Sequence, residues 1–215
     1  MKNKYKVTFL LDKKNLWFEN TLRNYNFKLN SKYLFRITKN PNSIKNQDIV
    51  FPLSYTKILD ENFLEKNELV LIAHPSKLPN EKGFSPLQYQ ILKNKTKIYI
   101  SLLQAIKKVD AGPIFMQNSF KLRGDELSNE IRNIQGIQVL KIIKKFLIKY
   151  PNVKSKKQKG NGNFNKKRSP KDSEININKT IKQLFNHMRI NDNDLYPSFF
   201  HYRKHKFILK IFKKK

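Results

Sequence analysis

Residues 69–74 read Leu69-Val70-Leu71-Ile72-Ala73-His74. Five apolar side chains in succession leave no polar face, so the segment predicts a strand covered on both sides, the habit of a central strand in an α/β sheet. The run stops on an imidazole. Open α/β sheets gather ligands beyond the C-terminal ends of their strands, which puts His74 where chemistry is done. Working outward, residues 6–11, 33–37 and 49–53 are short apolar runs and residues 16–25 a helical pattern. Downstream, residues 98–103 and 114–120 are strand-like. Residues 125–150 carry Leu127, Ile131, Ile134, Leu140, Ile143 and Leu147 at helical spacing, with Asp125 and Glu126 placed in a first turn, where the helix dipole favours acid. This alternation predicts an α/β fold with a mostly parallel, Rossmann-like sheet and helices on both faces.

Residues 151–171 break the pattern. They hold Lys154, Lys156, Lys157, Lys159, Lys166, Lys167, Arg168 and Lys171 with Gly160 and Gly162. So polar a stretch predicts a basic linker between a catalytic domain, 1–150, and a small C-terminal module, 172–215. In that module Ile181, Leu184, Phe185 and Met188 recur at helical spacing, with Asn178 placed as a cap. Residues 198–202 and 206–212 read as two strands joined by a turn at 203–205. A helix and a hairpin of this size must pack on the main domain to be stable.

Composition narrows the chemistry. The 215 residues include no Cys, which removes disulfides, thiolate nucleophiles and Cys-based metal sites. His187, His201 and His205 lack ligand spacing and read as packing or surface residues, so no metal site is expected. The first apolar run, residues 7–11, is interrupted by Thr8 and is too short for a signal peptide or a membrane span, so a soluble cytoplasmic protein is expected, with no membrane partner. Lys and Arg number 45 against 16 Asp and Glu, a net charge of +29. The lysines are spread along the chain among Asn and Ile, as a compositional bias would leave them. Only 151–171 asks for an acidic partner, with a weak nucleic-acid contact as the expectation.

The chemistry-bearing stretch is His74-Pro75-Ser76-Lys77-Leu78-Pro79, followed by Gly83, Phe84, Ser85 and Pro86. A second stretch, Asp110-Ala111-Gly112-Pro113-Ile114, falls between two strand-like runs. An imidazole at a strand mouth works as a base or a charged stabiliser near neutral pH, and a carboxylate beside it supports the charged form. By spacing alone the same residues more often make ordinary turns.

His-x-Ser-x-Leu-Pro-x-x-x-Gly from His74 to Gly83, followed by Asp-x-Gly-x-Ile from Asp110, resembles the folate-dependent formyltransferases. That family acts on methionyl-tRNA, glycinamide ribonucleotide and nucleotide-linked amino sugars. The resemblance implies His74 and Asp110 as catalytic residues and 10-formyltetrahydrofolate as co-substrate, with no metal. It implies a folate side shaped by Ser76, Leu78, Pro79, Gly83 and Gly112, and contacts to the amine substrate from Pro86, Gln90, Arg168 and Arg189. The residues from Lys167 to the final hairpin look like the compact module of sugar-type members, and the length leaves no room for a separate RNA-binding barrel. The expected reaction is therefore N-formylation of a nucleotide-linked amino sugar. Methionyl-tRNA formylation, or a catalytically impaired relative that binds nucleic acid, are the alternatives.

Two departures accompany the resemblance. The family places an Asn two residues before the His to donate to the oxyanion, and here that residue is Ile72. Gln90, Ser76 or a backbone N–H are the candidates to replace it, whereas Asn67 comes too early in the sequence. The glycine-rich first turn of long family members is replaced by Asp12-Lys13-Lys14-Asn15.

Overall fold

A computed structural model describes residues 4–13, 16–27 and 31–214. The elements run β1 (Tyr5–Leu11), α1 (Leu16–Asn24), β2 (Tyr33–Thr38), β3 (Ile49–Leu53), α2 (Glu61–Glu65), β4 (Leu71–His74) and a two-residue β5 (Lys82–Gly83). They continue with α3 (Pro86–Leu92), β6 (Lys97–Gln104), β7 (Ile114–Lys121), α4 (Ser128–Lys149), a two-residue β8 (Phe164–Asn165), α5 (Ile181–Ile190), β9 (Ser198–Tyr202) and β10 (His205–Leu209).

β2, β1 and β3 pair in parallel, in that order. A parallel bridge between Val50 and Val70 joins β3 to the start of β4. Beyond it the pairing changes sense: β4–β6 and β6–β7 are antiparallel. The parallel half is the part that alternation of strand and helix foretells. β6 and β7 reverse because the short loop carrying Asp110 joins them and leaves no room for a crossover helix.

Alternation along the strands divides the core. Val7, Phe9, Phe51, Leu71, Ile100 and Leu102 are buried with Phe18 and Leu22 of α1 and Leu140, Ile143, Phe146 and Leu147 of α4. Leu10, Val50 and Val70 are buried in a second cluster with Phe63 of α2. Helices therefore cover both faces, as expected. α1 and α4 approach closely at Gly136, where an added Cβ would lie 2.9 Å from Thr21 Cγ2. The strand that opened the reading is less enclosed than its composition predicts: Leu71 is fully buried, but Ile72 and Ala73 are only half-buried.

Several local readings are corrected. α4 begins at Ser128, so Asp125 and Glu126 precede it: the Glu126 carboxylate accepts the backbone N–H groups of Arg123 and Gly124 at 2.7 and 3.0 Å. The acid of the first turn is Glu130, which accepts from Leu127 N at 2.8 Å. The cap of α5 is Thr180 rather than Asn178. Its hydroxyl accepts from Gln183 N and the Gln183 side chain accepts from Thr180 N, a reciprocal capping box. The hairpin turn is Arg203-Lys204 alone, both with positive φ, which suits a two-residue connection of strands with right-handed twist. Of the first-turn residues, Asp12 accepts from the backbone and hydroxyl of Thr56, whereas Lys14 and Asn15 lie outside the described residues.

Candidate active site

β4 delivers His74 to the sheet end in register with Ser101 of β6, which in turn lies opposite Gln117 of β7. Residues in register share a face of the sheet, so these three form a polar row on one side of an otherwise apolar strand set. The 75–83 turn folds over that row. Ser101 Oγ donates to Ser76 O at 2.6 Å and accepts from Gln117 Nε2 at 2.9 Å, and Gln117 also reaches Leu78 O at 3.3 Å. Ser76 is fully buried, and its hydroxyl donates to Asn80 O at 2.8 Å. Leu78 is buried, and its peptide bond to Pro79 is cis.

His74 is 5% exposed. Its Nε2 lies 2.8 Å from the carbonyl oxygen of Glu81, and its Nδ1 lies 3.5 Å from Asp110 Oδ1. A carbonyl can only accept, so Nε2 carries the hydrogen and Nδ1 is the edge that faces the carboxylate. Asp110 is held in a left-handed conformation, φ +51°, and its second oxygen accepts from Gly83 N at 2.8 Å. Gly83 itself has φ +86°, and a Cβ there would fall 2.5 Å from Asn165 O. Gly112, two residues after Asp110, would place a Cβ 1.9 Å from Gln104 O. The motif glycines are thus positions where backbone meets backbone.

The expected substrate contacts are distributed otherwise. Pro86 is the first buried residue of α3. Gln90 is buried, and its amide nitrogen donates to Pro75 O at 2.8 Å and Pro86 O at 3.1 Å, so both hydrogens are spent inside the protein. Arg189 is 2% exposed. It donates to Asn186 Oδ1 and Glu126 O, with Glu126 Oε2 3.6 Å away, and burial lowers its pKa against the opposing pull of Glu126 and Asp125. It is a strut between α5 and the turn before α4, with no free face for a phosphate. Arg168 donates to Asp172 O and Asn191 Oδ1.

Residues 151–171, read from sequence as a basic linker, pack over this centre. Lys156 exchanges backbone hydrogen bonds with Ile114 at 2.8 Å in both directions. β8 pairs in parallel with β5, and a Cβ on Gly162 would lie 1.8 Å from Pro79 O. Gln158 Nε2 donates to the carbonyls of Asp110 and Gly112, both at 2.8 Å, while its buried Oε1 has no donor among the described residues. Asn163 Oδ1 accepts from Glu81 N at 2.9 Å, and Asn165 Nδ2 donates to Glu81 Oε2 at 2.7 Å. Lys93 pairs with the other Glu81 oxygen at 2.7 Å. Burial pushes the Glu81 carboxyl up, but Lys93, Asn165 and Asn163 outweigh it and hold it below the ordinary glutamate range. Gln158, Asn163 and Asn165 were invisible to sequence reasoning, since amides in an Asn- and Lys-rich stretch carry no periodicity. Lys154, Lys156, Lys157, Lys159, Lys166, Lys167 and Lys171 of the same stretch stay exposed.

Among the described residues no three His, Cys, Asp or Glu gather as a metal site, and no helix is long and apolar enough to cross a membrane.

A parallel sheet extended by antiparallel strands, with a His–Asp pair at the strand ends, defines an α/β domain with a candidate acid–base centre. The formyl transferase family model matches residues 2–135, and the chain belongs to that family. Among curated relatives, the methionyl-tRNA formyltransferase of Fusobacterium nucleatum is 28% identical over 148 residues, 66% of this chain and 47% of that protein. The chain spans about a quarter to half the length of such relatives. In fold it is similar to methionyl-tRNA formyltransferase from Clostridium thermocellum, with a TM-score of 0.82, 21% identity, and 98% of this chain and 94% of that chain covered. A 4-N formyltransferase from Francisella tularensis gives 0.73 at 16% identity, covering 99% of each chain. HypX from Aquifex aeolicus in complex with tetrahydrofolic acid gives 0.70 at 14% identity, covering 98% of this chain and 38% of that chain.

Proposed function

We propose that the chain transfers a formyl group from 10-formyltetrahydrofolate to a primary amine, with a nucleotide-linked amino sugar as acceptor. The single observation that carries the reading is the His74–Asp110 pair at the end of β4, bracketed by motif glycines. Family membership supports the reaction class, and the tetrahydrofolic acid bound by HypX supports a reduced folate as co-substrate.

In this reading the amine attacks the formyl carbon, forming the new C–N bond. Nδ1 is the ring nitrogen opposite the one committed to the Glu81 carbonyl, with the Asp110 carboxylate 3.5 Å away to support its charge, and so is the group to accept the amine proton. His74 Nδ1 takes the proton, Asp110 stabilises the resulting imidazolium, and the proton is returned to the folate nitrogen as its C–N bond breaks. The products are a formamide and tetrahydrofolate. Charge on the formyl oxygen has no donor from Ile72. Gln90 and Ser76 have already committed their hydrogens to Pro75, Pro86 and Asn80, so neither replaces the missing amide. A backbone N–H is the candidate that remains, and without one turnover is slow.

Curated relatives that act on methionyl-tRNA favour aminoacyl-tRNA as a second acceptor, approached across the exposed lysines of 151–171. Incubating the protein with 10-formyltetrahydrofolate and each amine in turn, with tetrahydrofolate release as readout, separates the two. His74→Ala is expected to abolish release with the true acceptor. Undiminished release in that variant overturns the reading.

A further inference from the structure

We infer that the strand-like strap at 156–165 is part of the reaction centre, with Asn163 and Asn165 as positioning residues that fix the tautomer of His74 through Glu81. The inference rests on the reading of His74 as proton carrier, and the strap lies outside the family-matched segment, 2–135.

The argument starts from what an imidazole beside a carboxylate prefers. A neutral ring facing Asp110 through Nδ1 gains most by placing its hydrogen on Nδ1 and donating it, the tautomer that carboxylates commonly fix. That tautomer leaves Nδ1 unable to accept a proton. The fold imposes the opposite arrangement, because the Glu81 carbonyl sits 2.8 Å from Nε2 and requires a hydrogen there. Glu81 adopts φ +60°, a left-handed conformation that a glutamate holds at a cost and only when its surroundings enforce it.

The strap is the enforcement. Asn163 takes the Glu81 N–H, and its own carbonyl accepts from Lys82 N at 2.9 Å. Asn165 holds the Glu81 carboxylate, and its carbonyl accepts from Phe84 N at 3.1 Å. Two of these four bonds thus fall on the strained residue itself and two on Lys82 and Phe84 just after it. On the other side of the ring the same strap grips Asp110, through Gln158 on its carbonyl. Both partners of the imidazole are therefore held by one segment, and His74 is left with Nδ1 as its basic edge.

The test reads the ring directly. Nitrogen-resolved NMR of the uniformly 15N-labelled full chain at about pH 8, where an ordinary histidine is neutral, distinguishes the two tautomers, with the His74 signals assigned by their loss in His74→Gln. The wild type is expected to show hydrogen on Nε2. Asn163→Ala, at an exposed position, is expected to move the hydrogen wholly or partly to Nδ1 and to lower kcat on the order of 10-fold or more with the KM for the amine little changed. If Asn163→Ala fails to fold, Asn165→Ala is read by the same criteria. A wild type with hydrogen on Nδ1 or on both ring nitrogens, or folded variants that keep it on Nε2, overturns the inference. A wild type that transfers no formyl group overturns the proposed function instead, and the tautomer still decides the role of the strap.

Discussion

Ile72 lies two residues before His74 on β4 and so on the same face of the sheet, where it offers a formyl oxygen only hydrocarbon. Restoring an amide at this half-buried position is the sharpest residue-scale test: Ile72→Asn is expected to raise kcat on the order of 100-fold, the usual worth of one oxyanion donor. Steady-state kinetics check it, and an unchanged kcat means that the developing charge is met elsewhere. Asp110→Asn keeps the bond from Gly83 but removes the charge that stabilises imidazolium, so kcat is expected to fall about 100-fold or more. His74, Asp110, Gly83 and Gly112 were legible because each sits in a fixed local pattern. Glu81 was not, because it owes its place to partners such as Asn163, 82 positions away. Gln90 and Arg189 were legible as polar residues of the right type, but sequence does not say whether a side chain has spent its donors on its own backbone.

At the scale of elements, strands and helices came through wherever apolar periodicity was strong, and their ends did not. α4 starts late because Glu126 folds back onto two backbone N–H groups and forms a turn of its own before the helix. The start of α5 is set by Thr180, whose capping box outcompetes Asn178, the backbone N–H of which is turned to Asn176. Thr180→Ala is expected to cost about 1 kcal/mol, and Asn178→Ala much less. Denaturant midpoints with unchanged slopes check both. The sense of β6 and β7 was not legible, since a loop between apolar runs does not declare whether the chain reverses or crosses over.

For the whole molecule, charge sets the response to solution conditions. With a net charge of +29, self-repulsion opposes compaction, so Tm is expected to rise as salt is added at low ionic strength. Acid acts through particular groups. The Glu81 carboxyl is held below its ordinary value of 4.5 in the folded state, so the unfolded chain binds its proton first as pH falls. Its contribution is present above about pH 4.5 and is lost as pH drops through the folded value. Lys93→Met removes the nearest opposing charge and lets burial count for more, so the acid limb of stability is expected to move to higher pH. Denaturation series across the acid range read the shift. A limb that stays in place means that Asn165, Asn163 and Lys95 suffice.

The strap closes over a turn that left the ribosome some eighty residues earlier, as the pairing of Glu81 with Asn163 and Asn165 requires. A nascent chain can therefore assemble its sheet strand by strand and still lack a working centre, because the last fastening arrives after the long helix has been made. On the proposed reading of the strap, activity is a late event in the life of each molecule, acquired only once the strap has docked.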